Sequence, residues 1–169
     1  MKLPKDVKAE DFNAALEEFR RVVGEKWLFM SDEDMHLYRD AYSLQWGEPN
    51  ELVASAAVAP ENVEQVQGVV RVAAKYSIPL FAISTGKNLG YGGSAPNMAG
   101  NVIVDLKRMN KVIEVDDKRN FCIVEPGVSY FDLYKYIHER GFKVMMDVPD
   151  PAGAARWAMR STMAWATRG

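Results

Sequence analysis

Apolar and polar positions follow two different patterns along this chain, and the change falls near residue 52. Before it, Phe12, Ala15, Leu16, Phe19 and Val23 recur at helical steps, with Glu17, Glu18, Arg20 and Arg21 around them. That spacing predicts an amphipathic helix over 10–23, stopped by Gly24. Residues 31–50 mix aromatic and polar groups and predict a short helix followed by an extended link. Gly47, Pro49 and Asn50 mark a boundary there.

Beyond residue 52 short apolar runs alternate with helical stretches. Val53 to Val58 predicts a buried strand, and Pro60 stands where a first helical turn tolerates it. Residues 61–76 predict a helix with Val63, Val66, Val70 and Ala73 or Ala74 on one face. Gly68 inside it costs about 1 kcal/mol against Ala. Either the helix tolerates that weakness, or its backbone packs closely against a neighbouring loop; the otherwise well-built helix favours the second. Ile78 to Ile83 is the next strand, so the three elements form a βαβ unit with parallel strands. Val102 to Leu106 predicts a third strand. Val112 to Val115 and Phe121 to Val124 predict a hairpin across the charged link 116–120. Ser129 and Asp132 form a capping box ahead of a helix over 130–140, which Gly141 ends. Val144 to Val148 closes the series before Pro149-Asp150-Pro151. The fold class expected is α+β, an α/β lobe with a mixed parallel and antiparallel sheet and flanking helices.

Composition narrows the function classes. With 169 residues and 48% hydrophobic content the chain can bury a core. Lys plus Arg number 21 and Asp plus Glu 23, a net of −2, which argues against nucleic-acid or polybasic membrane binding. A single cysteine, Cys122, precludes an intrachain disulfide or a cysteine zinc cluster, and His36 and His138 lie far apart. No run approaches the ~20 apolar residues of a membrane span, and Met1 to Asp6 lacks an apolar signal stretch, so the expected compartment is the cytoplasm. Cys122 and Met145-Met146 are expected to fill core, Tyr130, Tyr134 and Tyr136 to pack, and His138 to be solvated. Glu125, before Pro126-Gly127, reads as a plain turn residue.

The candidate chemistry sits in Ser84-Thr85-Gly86-Lys87-Asn88-Leu89-Gly90-Tyr91-Gly92-Gly93-Ser94, directly after a predicted strand. Four glycines in eight residues cost backbone entropy. They allow successive N–H groups to line one concavity and approach a phosphate. Ser84, Thr85, Asn88 and Ser94 add side-chain donors, and Lys87 adds charge. The loop is not a Walker loop, since Asn88 follows Gly86-Lys87 and Phe81 stands where the first glycine belongs. Nor does Gly90-Tyr91-Gly92 continue as Gly-x-Gly-x-x-Gly. The chemistry indicates a diphosphate without naming its carrier.

The stretch Pro79 to Pro96 resembles the flavin-pyrophosphate loop of the vanillyl-alcohol oxidase and p-cresol methylhydroxylase family. Ile83 to Gly92 matches that pattern almost letter for letter. The likeness extends through Val102–Leu106, Met109-Asn110, Val124-Glu125-Pro126-Gly127-Val128 and Asp147-Val148-Pro149-Asp150. It implies the first lobe of a PCMH-type FAD-binding domain over 51–151, preceded by an N-terminal helical segment, 1–50. It also implies FAD as cofactor, with Ser84, Thr85, Gly86, Lys87 and Asn88 around the pyrophosphate, Gly90, Tyr91 and Gly92 continuing toward the flavin, and Pro149 lining the cofactor channel. The implied reaction is oxidation of a 4-alkylphenol. A hydride passes from the benzylic carbon to flavin N5, and water attacks the resulting quinone methide. The implied partners are a small phenolic substrate, a cytochrome c subunit in the full-length enzyme, and further copies of the chain. The resemblance places the Glu125 turn near the cofactor, an alternative equal to the plain turn, and assigns no catalytic residue here. A nucleotide-binding module without redox chemistry and a non-functional relic stay open as alternatives.

Residues 151–169 break the pattern. They hold six Ala, three Arg, two Trp and two Met, with no acid and no Val, Leu or Ile. The family would continue Gly-Ser-x-x-Gly-Asn and then Gly-Val-Gly-Tyr-Thr. With codons chosen to fit Gly153 to Gly169, reading one base earlier gives Trp-Gly-Ser-Pro-Val-Gly-Asn-Ala-Ile-Asp-His-Gly-Val-Gly-Tyr-Thr-Arg. The expectation is therefore an out-of-frame tail over 152–169 and a chain that is an N-terminal fragment. Such a fragment is expected to bind FAD weakly or not at all, to expose apolar surface, and to show no turnover alone.

Overall fold

The computed structural model describes residues 2–87 and 93–146, together with the backbone of 166–167. Helix α1, Ala9–Val23, buries the five apolar residues that its period selects, Phe12, Ala15, Leu16, Phe19 and Val23. Gly24 ends it at φ +88°, a conformation that suits glycine, and its N–H closes on the Arg20 carbonyl at 2.8 Å. Strand β1, Leu28–Phe29, and helix α2, Asp32–Leu37, follow. Ser31 caps α2 in a reciprocal box with Asp34.

Strand β2, Ala56–Val58, helix α3, Val63–Lys75, strand β3, Leu80–Ile83, and strand β4, Val102–Asp105, build the central sheet. Its order is β1-β2-β4-β3. Strand β4 runs parallel to both β2 and β3, and β1 adds an antiparallel edge. The βαβ expectation holds in direction, but the two strands are not neighbours. The chain returns after β3 to insert β4 between them. The two-residue β1 had no distinct signal in the sequence; it forms because Leu28 and Phe29 pair with Val58 and Ala57.

Both sheet faces are covered. On one, α1 and α3 pack over Ala56, Val58, Val102 and Val104. On the other, Tyr38 covers Ala57, Ile83 and Ile103, joined by Phe29, Met35 and Phe81. Strand alternation divides the residues between these two cores.

The buried face of α3 differs from the one expected. Val69, Val72 and Ala73 are buried, while Val63 and Val70 are 56% and 51% exposed. Gly68 explains the rotation. A Cβ there would lie 2.8 Å from Val22 Cγ1, so α3 approaches α1 with its backbone along the Gly68 line. The close packing expected of Gly68 is present, against a helix rather than a loop. Asn62 caps α3 by accepting from the Gln65 N–H at 2.9 Å, which leaves Pro60 ahead of the helix.

A second, smaller unit follows. Strands β5, Val112–Asp116, and β6, Phe121–Val124, form the expected antiparallel hairpin. Helix α4, Tyr130–Glu139, starts from the Ser129–Asp132 capping box. Val128, Leu133 and Ile137 form its core, with Cys122 half-buried against them. Tyr130 is buried, but Tyr134 is exposed and stacks on His138. Strand β7, Met145–Met146, pairs antiparallel with β8, Ala166–Thr167. Met145 is exposed, so only Met146 joins the core. Among the described residues no helix is long and apolar enough to cross a membrane.

Candidate functional site

In a parallel sheet, ligands gather beyond the carboxyl ends of the strands. Here those ends are Val58, Asp105 and Ile83, with Asp105 in register opposite Ile83. The glycine-rich loop leaves β3 at this edge. Ser84 is buried, and its hydroxyl donates to the Pro126 carbonyl. Gly86 takes φ +69° and Gly93 φ +57°. A Cβ on Gly86 would collide with Ser94 Oγ, whose hydroxyl donates to the Gly86 carbonyl at 3.3 Å. The loop therefore closes on itself at its neck, between residues 86 and 94. Lys87 is exposed. Among the described residues no hydrogen-bond acceptor is recorded for the Gly86 or Lys87 N–H, or for the Lys87 ammonium.

Ser84, Thr85, Gly86 and Lys87 thus stand together at the root of the loop. Asn88, Gly90, Tyr91, Gly92 and Pro149 lie outside the described residues. Two of the expected donors are already used, since the hydroxyls of Ser84 and Ser94 each donate within the protein. Backbone N–H groups and the Lys87 charge at the loop root are what the described residues offer an anion besides the Thr85 side chain. That set fits a diphosphate: backbone N–H groups that allow a close approach, and one cation.

A buried polar cluster braces the same edge. Asp105 Oδ2 accepts from the Tyr38 hydroxyl at 2.8 Å and faces Lys107 Nζ at 2.8 Å. Its Oδ1 accepts from the Lys107 N–H at 3.0 Å. Burial first, then the Asp105 charge, pushes the Tyr38 hydroxyl well above its ordinary range, so it stays protonated as a donor. The Lys107 ammonium lies 5.3 Å from the Phe29 ring centroid and 5.8 Å from that of Tyr38. Next in sequence, Arg108 donates to the Ala59 carbonyl at 2.7 Å and stacks 3.9 Å over Trp27.

The 125–128 turn docks beside this brace. Gly127 N–H donates to the Met109 carbonyl at 2.7 Å, and a Cβ on Gly127 would collide with the Leu106 carbonyl oxygen. Glu125 accepts from the Lys111 N–H at 2.8 Å. Glu125 is a turn residue, and its turn touches the loop root through Pro126.

Sequence reasoning missed Tyr38, Asp105 and Lys107. Asp105 carried one legible signal, a lone acid closing the apolar run Val102 to Val104. Tyr38 carried none, because its partner is 67 positions away. A pocket of about 250 Å³ opens between the 40–52 segment and Phe81, Ala95 and Pro96, and shares no lining residue with the loop root. Among the described residues no cluster of His, Cys, Asp or Glu could hold a metal ion.

Known proteins share this fold. The sequence model of a family described as FAD binding domain matches residues 54–167. The flavoprotein subunit of 4-cresol dehydrogenase [hydroxylating] from Pseudomonas putida is 40% identical over 156 residues, covering 90% of this chain and 29% of that protein. The crystal structure of p-cresol methylhydroxylase with substrate bound superposes with a TM-score of 0.88 at 37% identity, over 95% of this chain and 31% of that one. The 4-ethylphenol oxidase from Gulosibacter chungangensis, solved with isoeugenol, gives the same TM-score and identity over 93% of this chain and 30% of that one. This chain therefore spans less than one third of each of these relatives. Its mixed sheet and flanking helices are those of their FAD-binding fold, and the chain belongs to the FAD binding domain family, whose cofactor is FAD.

Proposed function

We propose that this chain supplies the diphosphate-binding lobe of an FAD-dependent oxidoreductase that oxidises 4-alkylphenols. The observation that carries the reading is Gly86: left-handed, closed against Ser94, and placed at the carboxyl end of β3 where the sheet receives a ligand. The substrate class is supported by the relatives, which include a 4-cresol dehydrogenase subunit and a 4-ethylphenol oxidase.

In this reading Ser84, Thr85, Gly86 and Lys87 hold the pyrophosphate, through main-chain N–H groups and the Lys87 charge. Asn88, Gly90, Tyr91 and Gly92 continue the wrap toward the flavin, and Pro149 lines its channel. FAD, when bound, supplies the hydride acceptor. The chain's own residues bind and orient it, and Asp105 with Tyr38 holds the strand end beneath it rigid. The full-length enzyme takes a small phenolic substrate, passes electrons to a cytochrome c subunit, and forms a homo-oligomer.

The 152–169 segment is read as out of frame. The isolated chain then binds FAD weakly at most and turns over no phenol. Exposed Ile113, Ile123, Phe131, Tyr134 and Met145 support that reading, since they leave apolar surface on the smaller unit. Sequencing the gene across codons 151–153 checks the frame. Restoring the frame and assaying a 4-alkylphenol with an artificial electron acceptor checks the function. A flavin absorption band with turnover is the expected result. A band without turnover on any 4-alkylphenol would leave a nucleotide-binding module, and no band would leave a relic.

A further inference from the structure

We infer that Ser84 is a positioning residue: its hydroxyl latches the root of the diphosphate loop to the 125–128 turn, so that the hairpin–helix unit sets the geometry of the loop. This rests on the reading of the loop as an FAD site and goes beyond it, because it removes the Ser84 side chain from the phosphate ligands. A serine hydroxyl has one proton to donate. Here it is committed to the Pro126 carbonyl, and the side chain is buried. What remains on Ser84 Oγ is acceptor capacity, which an anion cannot use.

The acceptor is equally fixed. Pro126 sits between Glu125, whose N–H donates to the Lys111 carbonyl at 2.9 Å, and Gly127, whose N–H donates to the Met109 carbonyl at 2.7 Å. Gly127 has no room for a side chain against the Leu106 carbonyl. The turn is therefore pinned to the chain that leaves β4, and β4 pairs with β3 up to Asp105 and Ile83. Ser84 closes this ring of contacts one residue beyond β3. Freed from Pro126, the chain would leave β3 without a fixed direction, and Gly86 would lose its alignment with Ser94.

Two variants test the latch in the full 169-residue chain, with or without flavin. Ser84→Ala removes the donor. Gly127→Ala displaces the acceptor turn and leaves the Ser84 hydroxyl in place. Millisecond amide exchange by NMR should rise at least fivefold at residues 85–87 in both variants, with helices α1 and α3 protected as before. The double variant should add little to either single one, because both break one contact. Unchanged exchange at 85–87 in Ser84→Ala overturns the inference, as does a uniform rise that includes α1 and α3. If Gly127→Ala does not fold, Ser84→Ala decides alone. Titration of the frame-restored protein with FAD provides the second readout: a tenfold weaker affinity for Ser84→Ala, with the fold retained, is expected. Failure of the frame-restored protein to bind FAD would count against the cofactor reading, while the exchange result would still decide the latch.

Discussion

The parallel-sheet unit and the hairpin–helix unit bury their apolar residues by different means. The sheet, residues 56–105, is covered on both faces, by α1 and α3 on one side and by the Tyr38 segment on the other. The hairpin and α4 share one three-residue core and leave Ile113 and Phe131 63% and 65% exposed. The first arrangement can hold itself rigid. The second draws rigidity from docking, through Gly127 on Met109, Glu125 on Lys111 and Ser84 on Pro126. The glycine-rich loop springs from the rigid unit and is tied to the dependent one through Ser84.

The largest expected effect breaks the rigid unit. Phe19 is fully buried between α1 and the sheet, and Phe19→Ala should cost about 4 kcal/mol through lost transfer energy and a cavity. Thermal unfolding by circular dichroism should show one transition at a markedly lower temperature. Leu133→Ala, in the core of the smaller unit, should cost about 3 kcal/mol by the same mechanism. Its signature differs: hydrogen exchange should quicken across 112–146 while β2, β3 and β4 keep their protection. Equal loss of protection in both units would erase the distinction drawn here.

Smaller effects sharpen it. Tyr38→Phe leaves the packing but takes the hydroxyl from buried Asp105, and should cost about 2 kcal/mol in chemical denaturation. Acid should loosen the α1–α3 side. Glu18 accepts from Lys75 Nζ at 2.6 Å and from the Tyr76 hydroxyl at 2.8 Å, which holds its carboxyl below the ordinary value. Glu51 is lowered likewise, first by Arg39 and then by the Gly47 N–H, against an opposing push from burial. Carboxyls lowered in the folded state stabilise it above their unfolded value near 4.5 and lose that contribution as pH falls through the folded value. Stability should therefore be flat above about pH 5 and decline below it. Glu51→Gln should flatten that decline in a pH series of denaturation midpoints.

Local signals were legible in the sequence because their physics is local. The α1 period, the Ser129–Asp132 box and the hairpin each depend on residues a few positions apart, and each is present. The glycine-rich loop was legible because its glycines stand out in composition, and Gly86 suits both a φ of +69° and the close approach of Ser94. Three features were not legible. The rotation of α3 is set by the Gly68–Val22 contact with another helix. The insertion of β4 between β2 and β3 is a matter of pairing partners. The Tyr38–Asp105 bond joins segments that only the folded chain brings together.

The strand order has a consequence for synthesis. Because the last of the three parallel strands is the central one, a nascent chain that has emerged only through residue 101 holds β2 and β3 apart across an empty slot. Until Val102 to Asp105 clears the ribosome tunnel, β2 can pair only with β1 on its other side and β3 has no partner in the sheet, so the two edges that face the slot stay exposed after translation has made both of them. Stalled ribosome complexes should turn from protease-sensitive to protected over the few codons that release β4.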